Sequence, residues 1–197
     1  ELNSAISSKF LISAVARIIE PGCKVDTVLI LVGKQGYGKS TFFRDLASSP
    51  WFKDTALDLG NKDALIALRG AWIYELAELD SVRTREATKV KAFISAQEYD
   101  YRPPYARNNE CVKRQLVFVG STNEETFLND PTGARRYWPV QADRPPDLGR
   151  LGRDRDQLWA EAVHRYSAGE RHWLDAGQSA ALVEAQERFQ HEDPWQQ

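Results

Sequence analysis

The chain has 197 residues, 42% of them hydrophobic and 27% charged, with a formal net charge of −2. That length suits one domain of ordinary size with an extension, and the apolar share supports a real core. The near balance of charge excludes binding to nucleic acid or membranes through bulk electrostatics, so any such site must be a local patch.

Taken in chain order, residues 7–19 carry Phe10, Leu11, Ala14, Val15, Ile18 and Ile19 on one helical face, and Pro21-Gly22 stops that helix. Residues 27–32 form a short continuous apolar run, the pattern of a strand buried on both faces of a parallel sheet. A helix is expected over 39–47, a second strand over 56–60, and a helix over 62–69 ended by Gly70. Residues 71–76 read as another buried strand and 84–95 as a helix. The stretch 97–110 is rich in turn formers but could hold a hairpin, 114–122 is the clearest late strand, and 136–140 could be the last. Pro145-Pro146 marks a boundary. Beyond it Leu158, Trp159, Ala162, Val163 and Tyr166 share a helical face, and 178–190 suggest one more helix.

Strands alternating with helices imply an α/β domain with a mostly parallel sheet. The expected organisation is an N-terminal helix and linker at 1–26, a core at 27–141 and a helical extension at 142–197. Cys23 and Cys111 match neither a metal spacing nor a disulfide framework. His164, His172 and His191 have no metal spacing, and the six tryptophans read as core or interface. No uninterrupted apolar run approaches about 18 residues and no signal peptide is visible. The expectation is a cytoplasmic protein with no membrane partner. The absence of methionine suggests an excised domain.

The most informative stretch follows the first strand: Gly33, Lys34, Gln35, Gly36, Tyr37, Gly38, Lys39, Ser40 and Thr41. Gly33 to Ser40 meets the pattern Gly-x-x-x-x-Gly-Lys-Ser in full, between a strand and a helix as that pattern requires. The glycines let the backbone curl and turn its N–H groups inward, and the following helix aims its positive end at the same spot. Lys39 adds a full charge and Ser40 an oxygen for Mg²⁺. The implied ligands are ATP and Mg²⁺. Hydrolysis also needs an acid to hold the metal and orient water; Glu75 and Glu78, at the end of a buried strand, are the candidates, with Asp80 weaker. Ser121, Thr122 and Asn123 follow another strand, and an asparagine there could hydrogen-bond the attacking water. Arg135 and Arg136 precede the last strand, and arginine matches phosphate oxygens bidentately.

Residues 101–114 concentrate Arg102, Arg107, Lys113 and Arg114 against one acid, Glu110, and interleave Tyr101 and Tyr105. Positive charge tracks a phosphate backbone and aromatic faces stack bases. The bland alternative is a solvated loop whose arginines pair with Glu98 and Asp100.

The order GKQGYGKST, WIYELAELD, KVKAFISAQEYDYRPPYAR, VFVGSTN, DPTGARRYWPV, together with DQLWAEAVHRYSAGE, resembles the virulence-associated E (VapE-like) family of phage and genomic-island proteins. That family is similar to superfamily 3 helicases within the AAA+-like P-loop ATPases. The resemblance implies a P-loop NTPase core of about five mostly parallel strands, with helices on both faces and a helical C-terminal extension. Gly33 to Ser40 would be the Walker A loop. Glu78, thirteen residues before Lys91, would be the principal Walker B acid and metal partner of Ser40, with Glu75 supporting it or assisting with water. Asn123 would be the sensor, and Arg135 or Arg136 a finger reaching a neighbour's γ-phosphate. Lys91, Arg102, Tyr105, Arg107 and Lys113 form the candidate DNA-contacting set. The adjacent acidic pair usual in such proteins is missing, because Leu79 follows Glu78.

The implied function is ATP hydrolysis that drives a helicase on single-stranded or forked DNA. It implies a homo-oligomeric ring such as a hexamer, a bacterial or phage-encoded origin, and a primase domain or protein as a companion. An ATPase switch, loader or defence component without unwinding, and a nucleotide-binding module with little turnover, are the alternative readings.

Overall fold

The computed structural model describes residues 1–55, 68–76, 84–101, 108, 110–124, 126–128 and 134–190. Helix α1 (Leu2–Ile19) leads into β1 (Val28–Val32) and α2 (Lys39–Ala47), and a 3-10 turn precedes the short β2 (Phe52–Lys53). Next come β3 (Ile73–Leu76), α3 (Thr84–Ser95), and the strands β4 (Glu98–Tyr101) and β5 (Glu110–Lys113). The chain closes with β6 (Val117–Thr122), a 3-10 turn (Ala134–Arg136), β7 (Tyr137–Gln141), α4 (Leu148–Ser167) and α5 (Ala176–Glu187). The expected strand at 56–60, and all but the end of the helix at 62–69, lie outside the described residues. The edge place beside β3 belongs to Phe52–Lys53, too short to carry a strand signature in the sequence.

Five strands form one sheet in the order β2-β3-β6-β1-β7, with every pair parallel. Side-chain alternation then sorts the core into two layers. Leu29, Ile73, Val117 and Val119 face α1, α2 and α4, where they meet Phe10, Ala14, Phe43, Leu46 and Leu151. Val28, Ile30, Val32, Tyr74 and Phe118 face the other way, onto Val90 and Ile94 of α3 and onto Phe127, Leu128 and Phe189. Helices therefore cover both faces. β4 and β5 pair antiparallel outside this sheet, so Glu98–Tyr101 and Glu110–Lys113 form the stem of a hairpin.

Tryptophans tie the first layer together. The Trp72 indole N–H donates to Ala14 O of α1, and that of Trp159 to Leu46 O at the end of α2, both at 2.9 Å. The two rings lie 4.2 Å apart. Trp51 and Trp173 are each 53% exposed, so of the reading as core or interface they are not core; Trp195 lies outside the described residues. Helix α1 is long and apolar enough to cross a membrane by length and composition alone, which a search for unbroken apolar runs overlooks. Its Ile6, Phe10 and Ala14 are buried in the core, which accounts for its apolar character.

Replacing Trp159 with phenylalanine keeps a ring against Trp72 but leaves Leu46 O without its donor. We expect Trp159→Phe to lower unfolding free energy by about 1 kcal/mol, and Trp159→Ala by roughly 3 kcal/mol or more, both read by urea denaturation.

Candidate active site

In a parallel sheet all strands point the same way, so the C-terminal ends of β1, β3, β6 and β7 gather at one edge. The phosphate loop sits there. Gly33 N donates to Thr122 O at 3.1 Å, and Ala142 N to Val32 O at 2.7 Å, which ties the loop to both neighbouring strand ends. A Cβ on Gly33 would lie 2.7 Å from Ala142 O, so no side chain fits. Gly36 and Gly38 take φ of +83° and +75°, the left-handed region open to glycine. Gly38 is the N-cap of α2 and provides no side-chain cap. The first N–H groups of that helix are therefore left for a ligand. Gln35, Gly36, Gly38, Lys39, Ser40 and Thr41 line a cavity of about 430 Å³ with Ser121, Thr122 and Asn123.

Lys39 is almost fully buried. Its ammonium donates to Gly33 O at 2.7 Å, Lys34 O at 3.1 Å and Asn123 Oδ1 at 2.8 Å. Residues 84 apart in sequence thus meet at one charge. These acceptors hold the charge over the loop.

Glu75 is 4% exposed. It shares the α2 side of β3 with Ile73, and its Oε1 accepts hydrogen bonds from Ser40 Oγ at 2.9 Å and Ser121 Oγ at 2.6 Å. Its Oε2 is buried without a hydrogen-bond partner among the described residues. A buried carboxylate oxygen left unpaired is costly, and hard oxygen donors are what Mg²⁺ takes. Ser40 and Glu75 therefore fit that cation. Glu78 lies outside the described residues, as do Asp80, Arg102, Tyr105 and Arg107. Of the two acids weighed from the sequence, Glu75 is the one seen beside Ser40.

The remaining candidates lie elsewhere. Arg135 and Arg136 precede β7, and so stand at the opposite edge of the sheet from the phosphate loop. Five residues of strand at about 3.3 Å each separate them from the Gln141–Ala142 level. Arg136 donates through Nε to Ser95 Oγ at 3.0 Å, while Arg135 is exposed. The turn that carries them is clamped from α5. Gln186, itself buried, donates through Nε2 to Ala134 O and Tyr137 O, both at 2.6 Å. Sequence reading did not single out Gln186; a polar residue among the apolar positions of a helix was the only signal.

Arg114 is a correction. Its place in a basic stretch suggested DNA contact, but it is 1% exposed. It donates to Phe93 O and stands over the rings of Phe93 and Phe118, at 4.7 and 5.3 Å from their centroids. Burial, and secondarily Arg17, pull its guanidinium down to about 10. Its backbone N–H donates to Gln97 O and its carbonyl accepts from Gly22 N, so it fastens the hairpin stem to the core. This is why β6 begins at Val117 rather than Arg114. Lys113 is exposed at the stem's base, opposite Glu98, and Lys91 is half-buried on α3. Neither is on the segment joining β4 to β5.

A five-stranded parallel α/β sheet with a glycine-rich loop between an inner strand, β1, and the next helix defines the P-loop class of fold. The sequence matches the virulence-associated protein E-like domain over residues 1–191, and the chain belongs to that family. Among solved structures it is similar to the apo structure of the NrS-1 C-terminal region (305–718), with a TM-score of 0.56 and 16% identity over 93% of this chain and 50% of that one. The A form apo structure of the same region matches with a TM-score of 0.55 and 14% identity, at the same 93% and 50% coverage. The chain thus spans about half the length of the structures it matches, and at these identities the likeness is one of fold. No curated protein matches the chain.

Proposed function

We propose that this domain is a Mg²⁺-dependent ATPase whose turnover is completed between copies of the chain and drives movement on DNA. The observation that carries the reading is the Glu75 carboxylate. It is buried, held at one oxygen by Ser40 and Ser121, which line the cavity with Lys39, and has no hydrogen-bond partner among the described residues at the other. Structural carboxylates are normally satisfied at both oxygens when buried; one left open beside a phosphate loop suits a bound cation.

The roles follow from that arrangement. The loop N–H groups and Lys39 take the β- and γ-phosphates, exchanging the carbonyl contacts of Lys39 for phosphate oxygens. Ser40 and Glu75 would hold Mg²⁺, which when bound neutralises charge on the phosphates. Asn123, already on Lys39, stands where the γ-phosphate would end, and with Glu78 is left to orient the attacking water. Arg135 and Arg136 are too far along the sheet to serve their own chain's phosphates, so the finger must come from a second copy. Arg135 is the better candidate because Arg136 is engaged by Ser95. A ring such as a hexamer would supply that copy.

DNA is proposed for the segment between β4 and β5, which carries Arg102, Tyr105 and Arg107. The stem itself bears Glu98, Asp100 and Glu110 against Lys113, so its charge directs contact toward the joining segment. The resemblance to phage and genomic-island proteins favours a role in replication, with a primase as a natural companion.

Glu75→Gln should cut ATP turnover about 100-fold or more and weaken the Mg²⁺ requirement for binding, whereas Glu78→Gln should bind Mg-ATP normally and lose turnover. Normal turnover in Glu75→Gln contradicts the assignment. Arg135→Ala should bind ATP yet turn over more slowly by roughly 10³-fold or more. Mixing it with Lys39→Ala should restore part of the rate, and no recovery contradicts a finger in trans. Reversing Arg102 and Arg107 to glutamate should weaken binding of a single-stranded oligonucleotide and lower its log–log salt slope by about 0.7 per lost phosphate contact. Lys113→Glu should leave that slope nearly unchanged.

A further inference from the structure

We infer that Ser121 is a positioning residue: its hydroxyl fixes the rotamer of Glu75 and thereby sets how strongly the site holds its divalent cation. The inference rests on the ATPase reading above and deepens it.

The geometry is specific. In the sheet, Glu75 is level with Val119 on β6, and Val119 is level with Leu29 on β1. Ser121 is two residues further toward the phosphate edge, on the same side of β6 as Val119. Glu75 must therefore extend forward and across to reach it, and the reach ends in a hydrogen bond of 2.6 Å. Ser40 arrives at the same Oε1 from α2 at 2.9 Å, with its oxygen 3.4 Å from that of Ser121. Two hydroxyls thus hold one carboxylate oxygen and leave Oε2 as the open one. The roles of the two hydroxyls differ. Ser40 sits in the loop, where its lone pair can serve the cation while its proton serves Glu75. Ser121, on a sheet strand flanked by β1 and β3, can keep donating whether or not a ligand is present. Without it, Ser40 alone restrains a carboxylate with free side-chain torsions. Both metal ligands then lose their fixed separation.

A second role has to be separated from this one, because Ser121 also lines the cavity and could touch a phosphate directly. Direct contact would affect nucleotide affinity with or without metal. Positioning of Glu75 affects only the metal-dependent part.

The test uses a fluorescent ATP analogue titrated into wild type, Ser121→Ala and Ser121→Thr, in EDTA and across a series of Mg²⁺ concentrations, with thermal melting to confirm folding. We expect equal affinity in EDTA for all three proteins. In Ser121→Ala the Mg²⁺ concentration for half-maximal tightening should rise roughly 10-fold, the usual size for loss of a partner to a metal ligand. Ser121→Thr, which keeps the hydroxyl, should restore most of it. An unchanged Mg²⁺ requirement in Ser121→Ala overturns the inference while leaving the ATPase reading intact. So does an equal loss in EDTA and in Mg²⁺, which marks a direct phosphate contact. A wild type indifferent to Mg²⁺ overturns both.

Discussion

The rest of the site depends on one constraint: the carboxylate of Glu75 must be carried across the sheet to the helix that opens at Gly38. β6 stands between β1 and β3. Strands lie about 4.8 Å apart, so an acid on β3 is roughly two strand widths from the strand that feeds the phosphate loop. A glutamate extended toward the loop edge covers part of that distance, Ser40 comes from α2 to meet it, and Ser121 on the intervening strand holds it on the way. The strand order thus explains the side-chain length, the direction of reach and the hydroxyl that supports it.

The same parallel order divides the molecule into two ends. Phosphate-facing groups collect where the strands finish: the loop after β1, Glu75 on β3, and Asn123 after β6. The arginines, the C-terminal end of α3 and the base of the hairpin collect where strands begin. Arg114 fastens the hairpin stem near that end, Arg136 is bonded to the last residue of α3, and Gln186 holds the turn that carries both candidate fingers. Arg135 and Arg136 thus stand at the other end of β7 from the loop after β1. Such a division suits an assembly in which one copy's strand-beginning end meets another's phosphate edge.

Much of this was legible in the residues. The apolar run before Gly33 and the complete loop pattern identified β1, α2 and the cavity, because those positions answer to local backbone geometry. The strand at 114–122, the helix at 84–95 and the helical faces of α1 and α4 were equally plain, although β6 begins only at Val117. The order of strands was not, since nothing local reports which strand lies between two others. The choice between Glu75 and Glu78 turns on the same limit, and Glu78 lies outside the described residues. Spacing to Lys91 favoured Glu78, whereas the alternation Ile73, Tyr74, Glu75, Leu76 already turned Glu75 toward α2, a signal that depends on knowing where the strand ends. Arg114 misled for a related reason. A basic residue beside other basic residues reads as surface, and only the packing of Phe93 and Phe118 against its guanidinium makes burial tolerable.

The most direct test of the account is an experimental structure of the protein with Mg²⁺ and a non-hydrolysable ATP analogue. The account predicts triphosphate density over Gly33 to Ser40, Lys39 moved from the loop carbonyls to phosphate oxygens, and the cation between Ser40 Oγ and the open oxygen of Glu75. A nucleotide bound elsewhere, or a cation held by Glu78 with Glu75 turned away, would contradict it.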